Sequence, residues 1–185
     1  DSAPEDYLKN IKYLAGKEKV VAIGEIGLDY HYDCAPRETQ IEVLENQIML
    51  ANELELPVII HDREAHEDIL NILKKHKPKG VVHCFSGSVE MMREIIRIGM
   101  YIGLGGAVTF KNAKKPLEVA AEVLSDRLLI ETDAPYMTPV PHRGERNNSL
   151  LIPLAAEKIA EIRGASAQEI LDLTAENAKR LFNIK

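Results

Sequence analysis

Short apolar runs alternate along the chain with longer segments in which apolar residues recur every three or four positions. The short runs predict buried β-strands, and the longer segments predict amphipathic helices. Strands are predicted at residues 20–26, 57–61, 80–85, 100–105 and 127–133. Helices are predicted at residues 4–14, 37–54, 64–75, 89–98, 116–124, 150–162, 166–173 and 175–182, with a loop over 134–148.

This alternation predicts an α/β fold with a parallel sheet. The strands are nearly continuous apolar runs, which suits parallel strands that are covered on both faces. Five successive βα units favour a TIM-type (β/α)8 barrel over an open doubly wound sheet. The glycines at the strand ends do not have the spacing of a dinucleotide-binding fingerprint. Because no linker interrupts the pattern, residues 1–185 are expected to form a single domain.

Charge and cysteine content narrow the class of protein. The formal net charge is −6, so the chain is not a broadly basic nucleic-acid binder, and such a substrate needs a metal or a local basic patch. Two cysteines are too few for a disulfide framework, which is typical of a cytoplasmic protein. Neither a signal peptide nor an apolar run of membrane length is present, so no membrane association is expected. Nothing in the sequence indicates an obligate protein partner.

Polar, metal-binding side chains stand at the ends of four predicted strands, namely Glu25, His61, His83 and Asp133. Any one of them alone more often makes an ordinary hydrogen bond than a metal bond. The carboxyl ends of parallel barrel strands, however, meet at one mouth, where barrel enzymes place their active sites. Two imidazoles and two carboxylates converging there predict a site for a divalent metal.

Several ordered segments then resemble a known family. They read GEIGLDYHYD, PVIIHDREA, VVHCFSGS, YIGLGG and LLIETDAPYMTP, followed by RGERN and the terminal NAKRLFNI. They are similar to the signature segments of the TatD family of metal-dependent deoxyribonucleases, a branch of the amidohydrolase-like barrels. The resemblance implies that Glu25, His61, His83 and Asp133 lie on barrel strands 4, 5, 6 and 8 and bind one or two ions of Mg²⁺, Mn²⁺ or Zn²⁺.

One departure from the family pattern is clear. The family carries a His-x-His pair on its first strand, and this sequence has no such pair. A complete barrel takes about 250 residues, so the sequence is expected to be the C-terminal portion, with roughly 65 residues of strands 1 to 3 absent upstream. Strand alternation turns Glu131 inward beside Asp133, one layer deeper, and its partner is expected to come from those upstream strands.

The resemblance implies hydrolysis of phosphodiester bonds in DNA, by exonuclease action on single-stranded ends. Asp133 is the candidate base for the attacking water, and Glu25 is the candidate bridging ligand. Substrate contacts are expected from the mouth loops and from a cluster of basic residues on the acidic chain: Arg63, Arg143, Arg146 and Asn147, with Tyr30 and Tyr136 as candidate base-stacking residues.

Two alternatives stay open at this point. A metal hydrolase of the same barrel type could instead cleave an ester or amide, in aminoacyl-tRNA or a small molecule. The strand that corresponds to barrel strand 4 ends in Glu25 and not in a lysine that could be carboxylated. This counts against a small cyclic amide as the substrate. The other alternative is a catalytically inactive chain that acts as a folding or interaction module. Activity on single-stranded DNA with added Mg²⁺ separates these readings.

Overall fold

The computed structural model describes residues 4–32 and 34–184. Five strands form one fully parallel sheet whose spatial order is the chain order, which confirms the predicted α/β class. The strands are β1 (Ile23–Asp29), β2 (Val58–Arg63), β3 (Gly80–Val82), β4 (Tyr101–Leu104) and β5 (Leu128–Ile130). Within the described ranges β1 and β5 each have one strand neighbour, so closure into an eight-stranded barrel stays a prediction.

The described residues contain seven α-helices, most of which connect successive strands. They are α1 (Tyr7–Ala15), α2 (Arg37–Glu53), α3 (His66–His76), α4 (Val89–Arg97), α5 (Lys114–Glu122), α6 (Ile152–Arg163) and α7 (Ala167–Phe182). The prediction of two helices over 166–182 was wrong, because α7 is continuous. Thr174 lies inside it without breaking it, since its hydroxyl donates to the carbonyl of Ile170 at 2.8 Å. No helix in residues 4–32 and 34–184 is long and apolar enough to cross a membrane.

Strand alternation divides the sheet into two apolar faces. One face packs under the surrounding helices and contributes side chains with no exposed surface: Leu28, Ile60, Val82, Ile102 and Leu128. Burying each such side chain stabilises the fold by about 1.5–3 kcal/mol. The opposite face carries a smaller cluster of Val81, Tyr101 and Leu129, which is covered by Leu181 and Phe182 at the end of α7.

The smaller cluster determines where the polar side chains emerge. His83 and Glu131 follow Val81 and Leu129 by two residues, so they lie on the same face, nearer the carboxyl ends of the strands. Asn177 of α7 fixes the start of β5, because its side-chain amide donates to the carbonyls of Ser125 at 2.7 Å and Leu128 at 2.8 Å.

Strand boundaries differ from the predicted ones in all five strands, and four of the differences change where site residues lie. β2 continues to Arg63, so His61 lies inside it and Arg63 belongs to the strand and not to a loop at the mouth. β1 begins later and runs to Asp29, because Gly27–Asp29 pair with His61–Arg63 of β2. Glu25 therefore lies inside β1 and not at its end. β3 and β5 end at Val82 and Ile130, so His83 and Asp133 lie in the loops that follow them.

Candidate metal centre

Three side chains converge on one side of the sheet: Glu25 from within β1, His61 from β2 and His83 from the loop that follows β3. The Oε1 atom of Glu25 lies 2.6 Å from Nδ1 of His61 and 2.7 Å from Nε2 of His83, and the two ring nitrogens are 3.3 Å apart. Both imidazoles therefore point at the same carboxylate oxygen. His83 is buried, whereas the side chain of Glu25 is 47% exposed, so the cluster opens toward solvent on the Glu25 side.

Close approach of two strands makes this convergence possible. The pairing of β1 with β2 has a register irregularity between Ile23 and Ile26, and Glu25 lies inside it. Irregularities of this kind redirect a side chain relative to regular alternation. A Cβ atom on Gly27 would lie 2.0 Å from the carbonyl oxygen of His61, so only glycine permits the strands to pack this closely.

Two further carboxylates lie on the far sides of the imidazole rings. Oδ2 of Asp29 is 3.2 Å from Nε2 of His61, and Oε2 of Glu131 is 3.4 Å from Nδ1 of His83. The other oxygen of Glu131 accepts a hydrogen bond of 2.6 Å from the backbone N–H of Cys84. The expectation that the partner of Glu131 comes from upstream strands was wrong, because its partners lie just after β3.

Asp29 was missed by the sequence analysis. Its Oδ1 atom accepts 3.0 Å hydrogen bonds from the backbone N–H groups of His31 and Tyr32, which orients the carboxylate toward His61. Although burial opposes ionisation, these hydrogen bonds and the contact with His61 lower the pKa of Asp29. The available signal was its even spacing from Glu25, but the predicted strand ended too early for that spacing to be used.

The electrostatics of the site favour a positive charge at its centre. Burial alone disfavours the imidazolium of His83, but the carboxylates of Glu131 and Glu25 outweigh burial and raise the pKa of His83 to about 9. The pKa of Asp133 is raised by its own burial and by the negative charges of Glu25 and Glu131, against the opposing effect of the imidazoles. A group of carboxylates that stabilises a proton at this point also stabilises a bound cation.

Asp133 lies beside the three converging side chains and not among them. The ligand atoms of Glu25, His61 and His83 all lie within 4.8 Å of one another, and within the described ranges this group does not include Asp133. Asp133 instead lines the same cavity of about 810 Å³, together with Glu25 and His61. Its predicted role as a metal ligand or base stays a prediction.

The predicted substrate residues fall into two groups. Arg63 and Arg143 line the cavity, with their guanidinium groups 4.6 Å above the ring of Tyr32 and 3.9 Å above the ring of Phe110. Arg146 is exposed on the same loop as Arg143. Both arginines of the cavity keep further N–H groups with which to bind an anion.

Asn147 is buried, and its side-chain amide donates to the carbonyls of Thr132 at 2.7 Å and Tyr136 at 2.6 Å. These bonds order the loop after β5, while a substrate contact by Asn147 stays a prediction. Tyr30 is only partly exposed, and its hydroxyl donates to Asp68 at 2.6 Å. Tyr136, in contrast, is 71% exposed at the cavity and is available for stacking.

The donor set fits a divalent metal. Two imidazole nitrogens and a carboxylate oxygen are ligands that Zn²⁺ and Mn²⁺ accept, and the other ring nitrogen of each histidine faces a carboxylate. Carboxylates behind metal-binding histidines are a general feature of metal sites in proteins. Glu25, His61 and His83 are therefore the residues that would hold the ion.

Comparisons with known proteins find similar sequences over nearly the whole chain. A family model described as TatD related DNase matches residues 1–183. The uncharacterized metal-dependent hydrolase YabD of Bacillus subtilis is 53% identical, over 97% of this chain and 72% of its own length. The protein named 3'-5' ssDNA/RNA exonuclease TatD, of Erwinia tasmaniensis, is 38% identical, over 94% of this chain and 70% of its own.

A solved structure has the same fold. The crystal structure of YJJV, a TatD homolog from Escherichia coli, superposes with a TM-score of 0.91 at 34% sequence identity. The match covers 99% of this chain and 72% of that one.

Proposed function

The chain belongs to the TatD family of metal-dependent hydrolases, and from this membership and the geometry of its site we propose that it hydrolyses phosphodiester bonds in DNA. We propose further that it removes nucleotides from single-stranded ends. The relative from Erwinia tasmaniensis carries the name of an exonuclease on single-stranded DNA and RNA, which supports this choice of substrate.

One observation carries the proposal. The ligand atoms of Glu25, His61 and His83 converge beside Asp133, in a cavity whose lining also includes Arg63 and Arg143. A cation site and an adjacent carboxylate can serve metal-assisted hydrolysis, and two guanidinium groups in the same cavity suit an anionic phosphate substrate.

The reaction adds water to phosphorus and breaks the bond from phosphorus to the leaving sugar oxygen. Glu25, His61 and His83 would hold a divalent cation, which when bound would activate the water as a Lewis acid and neutralise charge on the phosphoryl oxygens. Asp133, which lines the same cavity, accepts the proton that the attacking water loses. The leaving oxygen takes up a proton from solvent.

The arginines hold the substrate and do not take part in proton transfer. Arg63 and Arg143 line the cavity and can donate charge-assisted hydrogen bonds to the phosphates on either side of the scissile bond. Tyr136, exposed at the same cavity, offers an aromatic surface for an unpaired base. An unpaired strand fits these groups better than a duplex, because its bases are free to stack.

The experiment uses a single-stranded DNA oligonucleotide with a fluorescent label at one end. The protein is stripped of metal with EDTA and then supplied with Mg²⁺, Mn²⁺ or Zn²⁺ alone. We expect a ladder of products shortened one nucleotide at a time, which EDTA abolishes. His61→Gln should abolish the ladder, whereas His76→Gln, which alters an ion pair between α2 and α3 remote from the cavity, should preserve it.

Two results would overturn the proposal. Intact oligonucleotide in the presence of each metal would exclude the nuclease. Metal-dependent release of an amino acid from aminoacyl-tRNA, with DNA left intact, would assign the site to ester hydrolysis instead.

A further inference from the structure

Glu131 has no place in the proposed reaction, yet both oxygens of its carboxylate contact residues that follow β3. Oε1 accepts the 2.6 Å hydrogen bond from the backbone N–H of Cys84, and Oε2 lies 3.4 Å from Nδ1 of His83. Each oxygen therefore has its own partner. Both partners lie just after β3, whereas Glu131 follows β5, so the carboxylate joins two loops across the face of the sheet.

The sheet contains a space that fits this carboxylate. Gly103 of β4 lies between β3 and β5, and a Cβ atom there would stand 2.2 Å from Oε1 of Glu131. Any other residue at this position would push the carboxylate away from Cys84. Because Gly103 has no side chain, the carboxylate of Glu131 can occupy the space beside β4.

We propose that Glu131 is a positioning residue that holds the ring of His83 with its Nε2 atom directed at the metal. The inference rests on the metal site of the proposed function. A carboxylate beside Nδ1 keeps the ring hydrogen on that nitrogen and leaves the lone pair of Nε2 free, in the direction of Glu25.

The neighbouring ligand shows the same arrangement. Nε2 of His61 lies 3.2 Å from Asp29, while its Nδ1 points to Glu25. Each imidazole thus has one nitrogen at the metal position and the other facing a carboxylate. Glu131 differs from Asp29 in acting on the more deeply buried histidine.

The test compares Zn²⁺ affinity in wild type and Glu131→Gln, which keeps the shape of the side chain and removes its charge. Affinities are measured in metal-buffered solutions over a series of pH values and are compared where neither variant's affinity still changes with pH. We expect a loss of about 10- to 100-fold in Glu131→Gln. Glu145→Gln removes the same charge from the lining of the cavity without contacting a ligand, and should leave Zn²⁺ affinity unchanged.

A spectroscopic measurement separates positioning from a general effect on folding. In ¹⁵N-labelled, Zn²⁺-loaded wild type, the Nδ1–H signal of His83 should be visible and slow to exchange with solvent. In Glu131→Gln the same signal should exchange faster or disappear, at an unchanged unfolding temperature.

Gly103→Ala provides a second variant, which keeps the acid and displaces it. The added Cβ would also stand 3.2 Å from Cα of His83, so the substitution should weaken Zn²⁺ binding in both backgrounds. The loss should be clearly smaller in a Glu131→Ala background, because the carboxylate that Gly103→Ala displaces is then absent. If Glu131→Gln does not fold, this pair decides the question.

Failure of this inference is distinguishable from failure of the proposed function. Wild-type affinity and a retained Nδ1–H signal in Glu131→Gln overturn the role of Glu131, even if DNA is hydrolysed. Tight Zn²⁺ binding that Glu131→Gln weakens, in a protein that leaves DNA intact, supports the role of Glu131 and refutes the nuclease.

Discussion

The affinity of the site for a divalent cation should rise with pH until about pH 9. His83 is protonated below that point, because the carboxylates of Glu131 and Glu25 outweigh its burial and raise its pKa. A cation that binds Nε2 has to displace this proton. The fraction of molecules with a free Nε2 therefore falls about tenfold for each pH unit below the pKa.

The size of the change in affinity follows from the difference between neutral pH and the pKa of His83. At about pH 7, roughly 1% of the metal-free molecules have His83 deprotonated. The affinity should then be about 100-fold weaker than on the plateau above the pKa, a difference of about 2.7 kcal/mol in binding free energy. An ordinary surface histidine, with a pKa near 6.5, would weaken binding at neutral pH by less than about twofold.

The assay is a calorimetric titration of the EDTA-stripped protein with Mn²⁺, at a series of pH values and in two buffers with different ionisation enthalpies. At about pH 7 the binding of each ion should release about one proton. On the plateau, above the pKa of His83, binding should release none. His76→Gln should follow the wild-type curve, whereas His83→Gln should bind weakly and release no proton. A wild-type affinity that is flat from about pH 7 upward, without proton release, would refute the reasoning.

The remaining expectations concern stability, catalysis and substrate binding. The raised pKa of His83 stabilises the metal-free fold by about 3 kcal/mol below pH 6.5, and urea titrations should show this contribution lost as pH rises to about 9. Asp133→Asn should lower kcat on single-stranded DNA by about 10²- to 10⁴-fold, because an amide cannot accept the proton of water. Asn177→Ala leaves two buried carbonyls without their donor and should lower the free energy of unfolding by about 2–5 kcal/mol. Arg143→Ala with Arg146→Ala should reduce the log–log salt slope of DNA binding by about 0.7–1.4 and change the single-turnover rate much less.

Exposed residues of the same types serve as controls. For the stability measurements, Asn112→Ala at an exposed position should cost less than about 0.5 kcal/mol. His83→Gln removes the buried imidazole itself and should therefore abolish the pH dependence attributed to it. Asp126→Asn is the control for Asp133→Asn and should retain kcat. The control for the loop arginines is the double variant Arg93→Ala and Arg97→Ala on α4, which should retain the salt slope of DNA binding. A test variant that behaves like its control contradicts the corresponding expectation.

The sequence was sufficient for the class of fold and for the three converging side chains of the site. Short, nearly continuous apolar runs identify all five strands, because a parallel sheet that is covered on both faces has apolar side chains on both. The carboxyl ends of parallel strands meet at one edge, so Glu25, His61 and His83 could be placed in one site before any contact was known. The structure brings these three side chains together.

Only the tertiary structure decided how the site is assembled. Glu25 lies within β1 because the pairing with β2 extends that strand to Asp29. The residues of β2 that form these pairs are more than 30 positions away in the chain, so the local sequence of β1 does not reveal where the strand ends. The contacts of Glu131 with His83 and Cys84 depend on the register of β5 against β4 and on the space at Gly103. Local pattern specifies which face a side chain joins, since it reflects a period along one strand. It cannot specify which atoms meet across strands, because that is determined by interstrand register and close packing.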